Sequence, residues 1–182
     1  MPCRAKVVPM TRSVRVLLIL VIICGCVGCD QATKAIARER LPAGTTISML
    51  HDTLRLERTE NVGAFLSLGE SLPNDLRSAL FTFGGLLVVV VGALWTLFAR
   101  EMRPLHTAGA ALACAGGLGN VIDRLSRSGH VIDFLNVGIG SFRTGIFNVA
   151  DMALMLGLAL LLVPVVRSEL PQRSVNGGHE DS

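Results

Sequence analysis

The chain reads as a mainly α-helical membrane protein, with four transmembrane helices and a small extracytoplasmic β-sheet inserted between helices 1 and 2. Three observations predict this. Hydrophobic residues fill 51% of the 182 positions and charged residues 17%, with a mean hydropathy of +0.55, which is too apolar for an ordinary soluble domain of this length. Apolar runs recur at about 14–37, 78–99, 104–124 and 146–166, each close to the ~20 residues that span ~30 Å of hydrocarbon. Between the first two runs, a mixed-charge segment alternates in polarity with period two, as a half-buried strand does.

In chain order, Arg4, Lys6, Arg12 and Arg15 form a basic N-terminus without an acid, of which residues 1–13 precede the first span. The unbroken apolar run 16–29, ending in CVGC at 26–29, is short enough to suit a cleaved signal peptide. Residues 30–37, however, hold no helix breaker and lengthen the run to ~22 residues, so it is taken as the first transmembrane helix. The insert 38–75 carries Leu54 and Leu56 alternating with Arg55 and Glu57, and is expected to hold two to four strands. Asn61 and Gly63 follow in a stretch where glycine suits a bulge or a close backbone approach.

The second span, 78–99, carries no charge and has Trp95 near one end, where an interfacial indole sits. A tight turn, Arg100 to Pro104, leads to the third span, in which Gly109, Ala113 and Gly117 recur every four residues as a close-packing stripe. The same stripe continues to Asn120 and Arg124. Residues 125–145 are too polar and glycine-rich to span and are expected as a loop carrying Asp133, with the apolar piece 131–135 at the membrane interface. The fourth span starts with Asn148 and Asp151, is interrupted by Pro164 and ends at Arg167. Residues 169–182 are expected as a disordered cytoplasmic tail.

The basic N-terminus and the short Arg100–Pro104 turn both favour the cytoplasmic side. Asp30, Lys34, Asn120, Asp123, Arg124, Asn148 and Asp151 then converge at the opposite face, together with the 38–75 insert and Asp133. Polar side chains at the mouths of apolar helices are costly unless paired, packed or functional. The small net charge of +3 gives no footprint for a nucleic acid. Cys3, Cys24, Cys26, Cys29 and Cys114 are odd in number, three of them within one apolar run, and suit packing better than a disulfide framework.

The four histidines are scattered, so neither a metal nor another cofactor is expected. Ser141 has no base beside it in a span and is read as part of a turn. Paired aspartates remain: two carboxyls within reach share a proton, so that one accepts a proton from water while the other donates to a carbonyl oxygen. Asp151, a turn inside its helix and three residues after Asn148, is the best-placed candidate. Asp133, flanked by apolar residues, also reads as an ordinary loop aspartate. Asp123 suits a hydrogen-bonding role better than a catalytic one. Asp30 and Lys34, spaced i, i+4 with the acid first, suit a helical ion pair that is structural or substrate-positioning.

These residues fall in five motifs, DQATK (30–34), NVGAF (61–65), GNVIDR (119–124), VIDF (131–134) and FNVAD (147–151). In order and content they resemble lipoprotein signal peptidases, the signal peptidase II family of intramembrane aspartic proteases, over about residues 14–168. The resemblance implies a catalytic dyad of Asp133 and Asp151, with Asn120, Arg124, Asn148, Asp123, Asp30, Lys34, Asn61 and Gly63 in supporting or substrate-binding positions. It implies a β-cradle on the extracytoplasmic side, a lid-like segment, cytoplasmic termini and a multi-pass monomer in the bacterial cytoplasmic (inner) membrane. The substrate implied is a prolipoprotein, cut on the N-terminal side of a diacylglyceryl-modified cysteine, with membrane lipids as the other partner. Two rival classes fit less well. A proton-coupled transporter calls for mid-membrane polar groups and inverted repeats, and a membrane-anchored lipoprotein calls for a soluble remainder after Cys29.

Overall fold

The computed structural model describes residues 10–42, 44–62, 72–99 and 102–169. The order of elements is α1 (Arg12–Arg40), β1 (Thr46–Met49), β2 (Leu54–Asn61), α2 (Asn74–Phe98), α3 (Pro104–Ser126), β3 (Val131–Ile139), β4 (Phe142–Arg143) and α4 (Val149–Glu169). Helices α1, α2 and α3 are each long and apolar enough to cross a membrane, and α4 is apolar over Val149–Leu162. The protein is therefore a multi-pass membrane protein.

Local chemistry sets the helix boundaries. The Thr11 hydroxyl caps α1 by accepting from the Val14 amide, and Pro104 opens α3 at its first position, where the missing N–H costs nothing. Helix α1 runs without interruption through Cys29 to Arg40, as the breaker-free 30–37 stretch requires. At the other end of the bundle, Arg15 is buried and its guanidinium donates to the Ala99 carbonyl where α2 ends.

Helix α3 is central, packing most extensively on α4 and also on α1 and α2. The small-residue stripe divides between two neighbours. A Cβ at Gly116 would strike the Ala150 carbonyl and the Leu154 amide of α4, and one at Gly157 would strike the backbone of α3 at Gly109 and Ala113. Glycine is needed there because two helix backbones touch. Gly117, by contrast, faces Val89 of α2, so the four-residue period predicted close packing but not which neighbour each position meets.

The sheet is four-stranded and antiparallel, in the order β1-β2-β3-β4. Two strands come from the expected insert. The other two come from the 125–145 segment, where a loop was expected, so Asp133 stands in a strand. The alternation that marks β2 is absent from β3, because Val131 to Phe134 are all buried; a strand buried on both faces reads as a short apolar run. Register shifts between Leu56 and Thr59, and beyond that bulge Thr59 pairs with Asp133 and Asn61 with Val131. Ala37 and Leu41 at the end of α1 pack with Ile132 and Phe134, joining sheet to bundle. The expected strand continuation after Val62, and Gly63 with it, lie outside the described residues.

Candidate active site

Asp133 and Asp151 line one cavity of about 810 Å³, together with Asn61, Asn120, Arg124 and Phe147. They arrive from different elements. Strand β3 is pinned by the β2 ladder and by Leu135, whose amide donates to the Phe147 carbonyl while its carbonyl accepts from the Phe147 amide, both at 2.8 Å. Asp151 lies in the first turn of α4, where its carboxylate accepts from the Asn148 amide at 3.1 Å. The Asn148 side-chain oxygen accepts in return from the Asp151 amide at 2.9 Å. This reciprocal cap satisfies donors that a helix start leaves open and fixes both side chains.

Asn148, with no exposed surface, joins the two acids. Its Nδ2 donates to Asp133 Oδ1 at 2.7 Å, to the Ile132 carbonyl at 3.3 Å and to Asn120 Oδ1 at 3.1 Å. Asn120 in turn donates to Asp151 Oδ1 at 2.8 Å. Asn61, across the sheet, donates to Asp133 Oδ2 at 3.0 Å. Burial, first of all, pushes the Asp133 carboxyl up to about 6; the Asn61 hydrogen bond acts against it, and the charge of Asp151 acts with it. A carboxyl so poised exchanges its proton near neutral pH. Arg124 lines the same cavity, and its charge acts on both acids.

Behind the cavity lies a second polar cluster closed to solvent. Lys34 is wholly buried, with Nζ 2.8 Å from Asp30 Oδ2, 3.0 Å from Asp123 Oδ2 and 3.1 Å from Asn120 Oδ1. Each carboxylate also accepts from the backbone of another element: Asp30 from the Ala150 amide at 2.9 Å, Asp123 from the Ile132 amide at 3.2 Å. Gln31 donates to both carboxylates and to the Gly119 carbonyl. A Cβ at Gly119 would meet Asp30, so the absent side chain leaves room for that carboxylate. Four elements, α1, α3, β3 and α4, are thereby tied around one ammonium group. Such a network holds only when every member is satisfied, and Asn120 couples it directly to the cavity.

The structure thus gathers nine of the ten sequence-selected residues into two adjoining groups. Asp133, Asp151, Asn120, Arg124 and Asn61 line the cavity, Asn148 links its acids, and Asp30, Lys34 and Asp123 form the buried cluster. Sequence reasoning passed over Gln31, although it follows Asp30 in the DQATK motif, and Arg143, which lines the cavity and donates to the Asp52 carbonyl at 2.7 Å. Arg143 gave no signal because its partner is 91 positions away. Among the described residues no group of His, Cys, Asp or Glu is arranged to hold a metal ion. His130 ends a turn, with Nδ1 2.9 Å from the Arg127 carbonyl.

A family model described as Signal peptidase (SPase) II matches residues 21–167. The chain is 34% identical over 154 residues to the lipoprotein signal peptidase of Streptococcus pneumoniae, spanning 84% of this chain and 95% of that protein. It is 35% identical over 150 residues to that of Geobacter sulfurreducens, spanning 81% and 91%. Its fold matches a solved bacterial membrane enzyme with a TM-score of 0.72 at 21% identity, over 96% of this chain and 97% of the other.

Proposed function

This chain belongs to the signal peptidase II family, and from that premise we propose that it is an aspartic endopeptidase that cuts prolipoproteins on the N-terminal side of a diacylglyceryl-modified cysteine. Asp133 and Asp151 are its dyad. It works at the extracytoplasmic face of the bacterial cytoplasmic membrane, where a lipidated cysteine is itself anchored. The observation that carries this reading is the Asn148 bridge, which bonds Asp133 through Nδ2 and Asp151 through both Oδ1 and the backbone amide.

In the proposed mechanism the ionised aspartate takes a proton from a water held between the carboxyls as the water oxygen bonds to the scissile carbonyl carbon. The protonated partner donates to the carbonyl oxygen, giving a neutral tetrahedral diol. Proton return to the departing cysteine nitrogen lets the C–N bond break and frees the signal peptide with a new carboxyl terminus. Neither a metal nor a covalent intermediate is needed. Arg124 supplies fixed positive charge beside the pair, and Asn61, Asn120 and Asn148 hold the carboxyls in place, which is where preorganisation contributes.

The test is turnover of a diacylated prolipoprotein in membranes containing wild type, Asp133→Asn or Asp151→Asn. Both variants keep size and fold and lose activity by roughly three orders of magnitude or more, as expected where a group acts as part of a unit. Wild-type turnover in either variant removes that residue from the dyad. An unlipidated precursor is cut far more slowly, since the acyl chains select substrate by depth; equal rates would reject that part of the reading.

A further inference from the structure

The seam between α2 and α3 is closed at glycines. A Cβ at Gly92 would meet Cys114, one at Gly117 would meet Val89 and one at Gly85 would meet Val121. Positions rise along one helix as they fall along the other, so the two are antiparallel. The start of α2 therefore stands beside the end of α3, where Asp123 accepts from the Ile132 amide one residue before Asp133. At that end the next close contact is Gly129, at φ 88, where a Cβ would strike Ser78. In this stretch α3 carries Arg124 and Leu125 in place of small residues, and a second cavity, of about 680 Å³, lies against the two helices.

Its lining is layered. The outer layer comes from the first turn of α2 and the end of α3. It holds Arg77, Arg124 and His130 with the hydroxyls of Ser78 and Ser128, against one carboxylate, Asp75, which is exposed. Arg77 is buried, and His130 is oriented by Nδ1 donating to the Arg127 carbonyl at 2.9 Å. Six residues further along α2, about 9 Å deeper at 1.5 Å per residue, the lining is Phe83, which is 64% exposed in a membrane-spanning helix. Leu87, Val91 and Leu94 continue the same exposed face down α2.

Each layer selects a different part of a ligand. Two guanidiniums against a single carboxylate favour an anion, and their forked N–H groups match phosphate oxygens. The positive end of the α2 dipole adds to that preference. The same surplus of positive charge disfavours a choline or ethanolamine ammonium. A phosphate ion alone would leave the apolar layer unused, whereas a phosphate that carries acyl chains uses both layers. Basic pockets between transmembrane helices hold phospholipid headgroups on this principle.

We propose that this cavity binds an anionic phospholipid, its phosphate held by Arg77 and Arg124 and its acyl chains lying along Phe83 and Leu87. Arg124 also lines the cavity of Asp133 and Asp151, so the bound lipid fixes that guanidinium beside the two acids. This consequence rests on the dyad reading, whereas the binding itself does not.

The test is native mass spectrometry of the full chain in mixed micelles holding equal amounts of dioleoyl phosphatidylglycerol and dioleoyl phosphatidylcholine. The wild type retains phosphatidylglycerol over phosphatidylcholine by about ten-fold or more, and Arg77→Gln lowers that preference by about five-fold or more. Arg77 is buried, so a second variant acts from the exposed rim. Ser128→Asp sets a negative charge against the phosphate at φ 50, a conformation aspartate tolerates, and lowers the preference by a similar factor, while the uncharged Ser128→Asn keeps it. Equal retention of the two lipids by the wild type overturns the proposal, as does a preference unchanged in Ser128→Asp. Dioleoylglycerol, which has the chains without the phosphate, does not displace phosphatidylglycerol; displacement would show that the cavity reads acyl chains alone and would reject the headgroup assignment. Displacement by inorganic phosphate would make it a free-phosphate site and would reject the lipid. The readout is binding, so it stands or falls independently of whether Asp133→Asn abolishes turnover.

Discussion

Replacing Lys34 with methionine keeps an unbranched chain one atom shorter and removes the ammonium from a site with no solvent exposure. Asp30 and Asp123, 2.8 and 3.0 Å from Nζ, are then left as two carboxylates around a methyl group. Removing one partner of a buried ion pair costs about 3–5 kcal/mol, or roughly two to four orders of magnitude in the folding equilibrium. For a chain of this size that corresponds to a melting temperature lower by roughly 6–20 °C, read by thermal unfolding in detergent micelles. The cost arises from uncompensated charge, so adding Asp30→Asn and Asp123→Asn to Lys34→Met recovers a large part of the loss, although each single asparagine variant destabilises the wild type. A Lys34→Met protein melting within a degree or so of wild type would refute the reasoning, as would a triple variant less stable than Lys34→Met alone.

Raising the Asp133 carboxyl to about 6 means that the folded protein holds a proton the unfolded chain has released, so stability falls as pH rises from about 4 to about 6, by about 3 kcal/mol at most. The slope in denaturation midpoints over that window disappears in Asp133→Asn; a slope that survives belongs to another group. Asn148→Ala leaves the Asp133 and Asp151 bonds unmade at a wholly buried position, and is expected to lower kcat about 100-fold or more with KM little changed; a pure KM effect would show that the bridge positions substrate rather than the acids. Gly116→Ala forces a methyl against α4 backbone, whereas Gly117→Ala meets only the Val89 side chain. The first is therefore expected to lower stability by about 1–3 kcal/mol and the second by clearly less, an order that comparative melting curves check.

Much of this organisation is legible in the linear chain because it depends on short-range regularities. The i, i+4 spacing of Asp30 and Lys34 puts acid and base on one turn of α1. Asn148 and Asp151, three apart, cap α4 reciprocally. The apolar run 78–99 admits little but a membrane helix. The strand at 131–139 was hidden because β-branched residues buried on both faces lose the alternation by which β2 declares itself. Gly116 was hidden beside Gly117 because which glycine faces α4 depends on helix rotation, which period four alone does not define.

By itself, the sequence determined the class of protein and the inventory of its chemistry. Hydropathy is a sum over residues and needs no partner, and the five polar motifs carry the acids, amides and cations wherever the chain goes. Only the tertiary structure decided how that inventory is divided. Lys34 went to a sealed cluster with Asp30 and Asp123, Asp133 and Asp151 went to an open cavity, and Asn120 and Asn148 stand between them. That division comes from contacts between α1, α3, β3 and α4, separated by tens of residues, and from the burial they create. Neither distance nor desolvation is a property of any segment alone.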